Sequence, residues 1–152
     1  MPIKSFRGEI ADGGIDTIHL HTNTGTTGYR IKKLQLFPHK FGTEDQKSTV
    51  TIFSIPQTLP SNQVDFSDNT LLGAACLSTD NDEDNPLNNN VVFDNVTFNQ
   101  DIYVCHENVH SDAKPVNYYI ELEQIKLDLG ENTTATLKDI RNIKGRWVNS
   151  II

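Results

Sequence analysis

Apolar and polar residues alternate along several short segments of the chain, and turn residues bound most of these segments. Residues 18–22 and 29–37 follow this two-residue period, which is typical of a strand with one buried face. The loop between them, residues 23–28, contains two glycines, which permit the positive φ values of a tight turn. We therefore expect the two segments to pair as a hairpin, and the second strand to end at Pro38, which cannot donate a hydrogen bond to a sheet.

Six further segments are predicted to be strands: residues 48–55, 71–78, 91–93, 96–98, 102–105 and 118–129. Residues 71–78 form a continuous run of small and apolar side chains, which suits a strand covered on both faces. In the last segment the apolar phase changes between Leu122 and Ile125, which predicts a β-bulge. About eight strands separated by polar loops predict an all-β fold, an antiparallel β-sandwich or jelly roll.

The hydrophobic period changes near the C-terminal end. Asn132 or Thr133 can cap a helix, and apolar residues then recur at helical spacing. These residues are Leu137, Ile140, Ile143, Trp147 and Ile151. Residues 132–152 are therefore predicted to form a short helix or arm, packed either on the sandwich or on a neighbouring molecule, where those five residues would be the assembly interface.

Composition and charge narrow the range of functions. A length of 152 residues fits one domain, residues 1–152, and we detect no internal repeat. The net charge of -7 repels phosphate, which disfavours nucleic-acid binding. No apolar segment is long enough for a secretory signal or a membrane span, so we expect synthesis in a reducing cytoplasm. Cys76 and Cys105 lie in apolar runs and are expected to be buried thiols.

The strongest candidate for a metal site is His19-x-His21, which would place two imidazoles on one strand face. A cupin-type site adds a glutamate a few residues later, whereas after His21 the first glutamate of this chain is Glu44. Two ligands do not make a site, so an exposed strand face without a metal or other cofactor is the expected state.

The acidic segment 80–85 is the candidate for calcium binding. Asp80, Asp82 and Asp84 have the spacing of the first EF-hand ligands, but Asn85 and Val91 replace the required glycine and glutamate. A solvated acidic loop is expected, and weak calcium binding there stays open.

No enzyme emerges from the remaining residues. Cys105 and His106 are neighbours in a predicted strand, so they point to opposite faces and cannot act as a pair. Glu121 and Glu123 share a strand face, where paired carboxylates are more often solvated than catalytic. The sequence contains no nucleophile elbow and no phosphate-binding glycine motif.

Three segments carry a family resemblance: residues 64–72 (VDFSDNTLL), 117–123 (NYYIELE) and 135–142 (ATLKDIRN). In them the chain resembles small proteins encoded beside the structural genes of marine tailed bacteriophages. The resemblance implies a component of the virion with a β-sandwich body and no assigned catalytic residue.

The leading hypothesis is therefore a structural protein of a phage particle, a capsid decoration, minor capsid, vertex, neck or tail protein. Such a protein would be made in the host cytoplasm, associate with itself and bind other virion proteins such as the major capsid or neck proteins. Its contacts are expected in the loops 39–47 and 79–90 and in the arm 137–152. The second hypothesis is a carbohydrate-binding or host-attachment module, with Tyr29, Tyr103, Tyr118, Tyr119 and Trp147 as candidate aromatic residues. A cupin-like metal enzyme that uses His19 and His21 is the third.

Overall fold

The computed structural model describes residues 2–40, 45–79, 87–109 and 114–127, and within these ranges it contains eight strands and no helix. The strands are β1 (Ile3–Ile10), β2 (Ile15–Ile18), β3 (Thr27–Pro38), β4 (Gln46–Phe53), β5 (Leu71–Thr79), β6 (Leu87–Phe93), β7 (Ile102–Asn108) and β8 (Val116–Lys126). The predicted all-β fold is confirmed.

The strands form two antiparallel sheets that pack face to face. Sheet A has the order β1-β8-β3, and sheet B has the order β2-β7-β4-β5-β6. The predicted β-sandwich is therefore confirmed, whereas the jelly-roll form of the prediction is not, because β6 pairs with β5 and forms no ladder with β3 in the described part of the chain.

The core lies between the sheets and follows the two-residue period of the strands. On β8, Val116, Tyr118, Ile120 and Leu122 are buried, and the residues between them are half-buried on the outer face of sheet A. Side chains of β4, β5 and β7 meet them from sheet B, as the period of a half-buried sheet requires.

The segment 71–78 is a strand covered on both faces at its start, as predicted, since every residue from Leu71 to Ala75 is buried. Residues 54–70, the excursion between β4 and β5, lie against the start of this strand: Phe66 lines a groove together with Leu71, Leu72 and Gly73. Cys105 is buried as expected. The expected burial of Cys76 is wrong, because its side chain points to the outer face at a position that remains exposed.

The predicted hairpin is wrong. The first of its strands lies at Ile15–Ile18 instead of residues 18–22, and it pairs with β7 in sheet B. β3 pairs with β8 in sheet A, so residues 19–26 cross from one sheet to the other. Local alternation specifies which face is buried, but it does not specify the partner strand.

The bulge occurs on a different strand from the one predicted. The register between β3 and β8 shifts between Ile31 and Lys33, so Lys32 is the extra residue, and β8 is continuous where the slip was expected. The extra residue in β3 allows both Ile31 and Leu34, three positions apart, to face the core. The predicted strand 96–98 contributes only an isolated bridge between Tyr29 and Phe98.

Candidate functional site

His19 and His21 lie just after β2 and share one carboxylate. They belong to an irregular segment, so their predicted place on a strand face is wrong, although both side chains are exposed as expected. The Nδ1 atom of His21 lies 2.7 Å from Oδ1 of Asp101, and that of His19 lies 3.3 Å from Oδ2. The pairing of Ile18 with Ile102 brings these residues together, because Asp101 immediately precedes β7.

Asp101 holds residues 19–21 in place through several hydrogen bonds. Its Oδ1 atom also accepts the backbone N–H groups of Leu20 at 2.8 Å and His21 at 3.0 Å. Burial opposes ionisation of this carboxyl, but the hydrogen bonds from His21, Leu20 and His19 outweigh it and hold its pKa well below the usual range. Within the described ranges, no three or more His, Cys, Asp and Glu side chains are grouped to hold a metal ion. The cluster links the segment that leaves sheet B to the start of β7 through these hydrogen bonds.

A serine–histidine pair lies inside the sandwich. Nε2 of His106 on β7 is 2.9 Å from Oγ of Ser48 on β4, and Nδ1 of His106 is 3.0 Å from the carbonyl oxygen of Ile10. Since a carbonyl only accepts, Nδ1 carries the proton, and the Ser48 hydroxyl donates to Nε2. His106 is 0% exposed and Ser48 is 2% exposed, so no substrate reaches this pair. It is a structural contact between β1, β4 and β7.

Other buried polar side chains extend this cluster at the same end of the sandwich. Gln46 donates from Nε2 to Ser48 Oγ and to the carbonyl oxygen of Pro115, both at 2.8 Å. Asn108 donates from Nδ2 to the carbonyl oxygen of Lys114 at 3.0 Å, and its backbone N–H donates to Asp12 at 2.7 Å. These bonds tie the segment before β8 and the β1–β2 turn to sheet B.

The other potentially reactive side chains, Cys105, Glu121 and Glu123, are either buried or bonded to neighbouring side chains. Burial raises the pKa of the Cys105 thiol to about 11, against a smaller opposite effect of the hydrogen bond with Thr51, so the thiol stays protonated at neutral pH. Glu123 forms an ion pair with Arg30 at 2.8 Å, and Glu121 accepts a hydrogen bond from the Tyr119 hydroxyl group at 2.7 Å. These partners match a surface role for the two glutamates.

The candidate aromatic residues divide by burial. Tyr29 and Tyr118 are buried, and the Tyr118 hydroxyl donates to Asp16 at 3.0 Å, so neither offers a surface to a ligand. Tyr103 and Tyr119 are half-buried, with their strands in sheets B and A respectively. Sequence reasoning missed Phe37, which is 58% exposed. Its place in an alternating strand was a usable signal, because it is out of phase with the core residues Leu34 and Leu36.

Sequence reasoning also missed several exposed apolar side chains on the excursion and on the edge strand of sheet B. Leu59 is 81% exposed and Phe66 is 72% exposed, both on the excursion, and Val92 on the edge strand β6 is 53% exposed. A groove runs between Phe66, Val92 and Phe93. The excursion is rich in polar residues and proline, so its isolated apolar residues Leu59 and Phe66 produce no periodic signal in the sequence.

Several sequence-based candidates lie outside the described residues. They are the assembly interface Leu137, Ile140, Ile143, Trp147 and Ile151, the acidic segment 80–85, and residues 41–44 of the first predicted contact loop. Of that loop, Gln46 and Lys47 belong to β4, and Gln46 is buried.

Comparison of the chain with protein-family models, with curated proteins and with solved structures finds no match. The described residues include no helix that could span a membrane. The function of this protein is therefore inferred from its fold and its surface.

Proposed function

We propose that this protein is a structural component of a bacteriophage particle, which associates with itself and binds other virion proteins. Its contribution is mechanical: surface buried between neighbours stabilises the particle, and no reaction is catalysed. The observation that carries the proposal is the pair of exposed apolar side chains, Phe66 and Val92, that lie together at the edge strand β6 of sheet B. Apolar side chains that a folded chain leaves together in water are typical of surfaces that other proteins cover.

The pattern of strand pairing gives further support. In a jelly roll, a fold that includes viral capsid domains, the first strand pairs with the last, the second with the seventh and the fourth with the fifth. All three pairings occur here, as β1 with β8, β2 with β7 and β4 with β5. The remaining jelly-roll pair, β3 with β6, is represented by one bond from Asn89 Nδ2 to the carbonyl oxygen of Leu36 at 3.2 Å. Lectins and cupins share this architecture, so the pairing supports the proposal without selecting it alone.

The burial and hydrogen bonding of the potentially reactive side chains favour a binding function over catalysis. The serine–histidine pair is sealed in the core, and the buried thiol of Cys105 is protonated at neutral pH. The exposed histidines are engaged by Asp101.

The test is the mass of the purified full chain in solution, measured by light scattering over a concentration series. A closed oligomer such as a trimer, pentamer or hexamer is expected, since virion parts follow the symmetry of the particle. The double variant Phe66→Ser, Val92→Ser is expected to shift the oligomer toward monomer, whereas the control Ile3→Ser, which changes an exposed apolar residue of sheet A, is expected to leave it intact. A chain that stays monomeric at every concentration, or a double variant that assembles normally, contradicts this proposal.

A further inference from the structure

The outer face of sheet A carries a shallow depression between two aromatic side chains and a pair of opposite charges. Arg7, Glu9, Phe37, Asn117 and Tyr119 line it, and we refer to these five residues as the sheet A depression. The strand register places them in two adjacent rows, because Glu9 and Phe37 flank Asn117, and Arg7 is paired directly with Tyr119. The depression is on the opposite side of sheet A from the core.

The aromatic part of the sheet A depression is well placed for stacking. Phe37 is 58% exposed on the edge strand β3, diagonal to Tyr119 on the central strand β8. The Tyr119 ring is held in place by the bond from its hydroxyl to Glu121 and by Lys33, whose Nζ atom lies 5.9 Å from the ring centroid. Lys33 and Phe37 lie on opposite sides of Gln35, the direct partner of Tyr119, so the lysine approaches the ring from the side away from Phe37.

The polar part of the sheet A depression offers donors and acceptors together. Arg7 is exposed and makes no hydrogen bond or ion pair within the ranges that the structure describes, so its guanidinium is available as a donor. The Glu9 side chain is 44% exposed, with one oxygen 3.0 Å from Nδ1 of His39. The Asn117 amide adds a group that both donates and accepts, and its one side-chain hydrogen bond to the described residues is a long one, to the carbonyl oxygen of Pro38 at 3.4 Å.

We propose that the sheet A depression binds a neutral saccharide. A sugar ring has an apolar face of C–H groups, which stacks on an aromatic ring, and hydroxyl groups that both donate and accept hydrogen bonds. Phe37 provides the ring, while Arg7, Glu9 and Asn117 provide partners of both kinds. The adjacent opposite charges disfavour a simple anion or cation, because either one would meet a like charge. The site is separate from the apolar group on sheet B, so a particle protein could use both.

The test uses the full chain and a panel of neutral oligosaccharides: hexamers of α- and β-linked glucose, of mannose, and of N-acetylglucosamine. Binding is measured by calorimetry, and backbone amide shifts locate the site. We expect at least one of these sugars to bind and to shift the amides of residues 35–37 and 117–119. Phe37→Ala is expected to reduce the association constant about tenfold or more, as the loss of one stacking contact should.

Two further variants make the result specific. Arg7→Gln, an exposed change that leaves the core intact, is expected to weaken binding as well. Val109→Ala is the matched control, since Val109 follows β7 of the other sheet and is exposed to a similar degree, 54%, and it is expected to bind normally. The proposal is overturned if no sugar binds at millimolar concentration, or if binding survives both changes in the depression. It is also overturned if Phe37→Ala alters only self-association, which would make this face a protein interface.

Discussion

His106 accepts a hydrogen bond from Ser48 inside the sandwich, with 2.9 Å between Nε2 and Oγ. Its other ring nitrogen, Nδ1, faces the carbonyl oxygens of Ile10 at 3.0 Å and Ala11 at 3.1 Å, which can only accept. A second proton on Nε2 would place a charge in the core and leave the Ser48 hydroxyl proton without its acceptor. The cluster therefore accommodates only the neutral imidazole with its proton on Nδ1.

The folded state is expected to be less stable in mild acid because of His106. Burial lowers its pKa, and this effect exceeds the opposite effect of the carbonyl groups of Ala11 and Ile10. Below a pH of about 6.5 the unfolded chain binds a proton that the folded chain refuses, so the free energy of unfolding falls as the pH falls through this range. Urea unfolding between pH 5 and pH 8 measures the effect. An NMR titration of the imidazole tests its origin, and a His106 pKa above 6.5 would refute this explanation.

Removing the Ser48 hydroxyl is expected to destabilise the fold. Ser48→Ala leaves Nε2 of His106 without a donor and takes one acceptor from the Gln46 amide, both in the buried cluster. A buried polar group that loses its partner costs about 1–3 kcal/mol. Denaturant unfolding at pH 7 checks the value, with Ser78→Ala on the half-exposed outer face as the control, for which a change within about 0.5 kcal/mol is expected. Equal effects of the two substitutions would show that the cluster contributes little.

Asp101→Asn is expected to loosen the segment that leaves sheet B. The substitution removes the charge that accepts bonds from Leu20 and His21, with an expected loss of about 1–3 kcal/mol at pH 7. Because folding lowers the pKa of Asp101 below its ordinary value of 3.8, this stabilisation is present above that pH and is lost as the pH falls below it. The difference between the wild-type chain and the variant should therefore shrink in acid. Asp94→Asn, which changes an exposed carboxylate, is the control and should show neither effect.

The fold class could be predicted from local patterns, and the arrangement of strands could not. The alternation in β3 and β8 is visible because Leu34, Leu36, Tyr118 and Ile120 repeat at two-residue spacing. β1 was missed because Gly8 occupies one of its inward positions: a Cβ atom there would lie 3.1 Å from the Tyr118 ring, so the neighbouring strand provides the bulk that a side chain would otherwise supply. Because Tyr118 lies 110 positions from Gly8 in the chain, the sequence around Gly8 does not show that its missing side chain is replaced by this ring.

The clusters at the ends of the strands show the same limit. The sequence indicated His19 and His21, but their partner Asp101 is separated from His21 by 80 positions and is identified only once β2 pairs with β7. In the sequence, His106 is notable only as the neighbour of Cys105. In the structure its ring contacts Ser48, which is 58 positions away. Polar side chains acquire their roles from long-range pairing, which residue patterns within one strand do not encode.

The role of the apolar C-terminal arm is tested by deleting residues 147–152. These residues, which lie outside the described part of the chain, include Trp147 and end in two isoleucines. The sandwich that the structure describes has an extensive core of its own, in which Val50, Ile52, Val104 and Ile120 are all 0% exposed. We therefore expect the truncated chain to keep its β fold and its unfolding transition, and to lose self-association or incorporation into particles.

Circular dichroism, denaturant unfolding and light scattering on the truncated chain distinguish the two possibilities. If the arm is an assembly element, the midpoint of unfolding of the dilute chain stays near its original value while the mass in solution falls. If the arm instead belongs to the core of its own molecule, the loss of a buried Trp and neighbouring apolar side chains costs several kcal/mol, about 3–5 for a single large aromatic residue, and the transition moves or disappears. The substitution Trp147→Ala provides the milder comparison, because it removes the largest arm side chain without shortening the chain. A stable, folded variant that still assembles normally would show that contacts elsewhere, such as those at Phe66 and Val92, are sufficient for assembly.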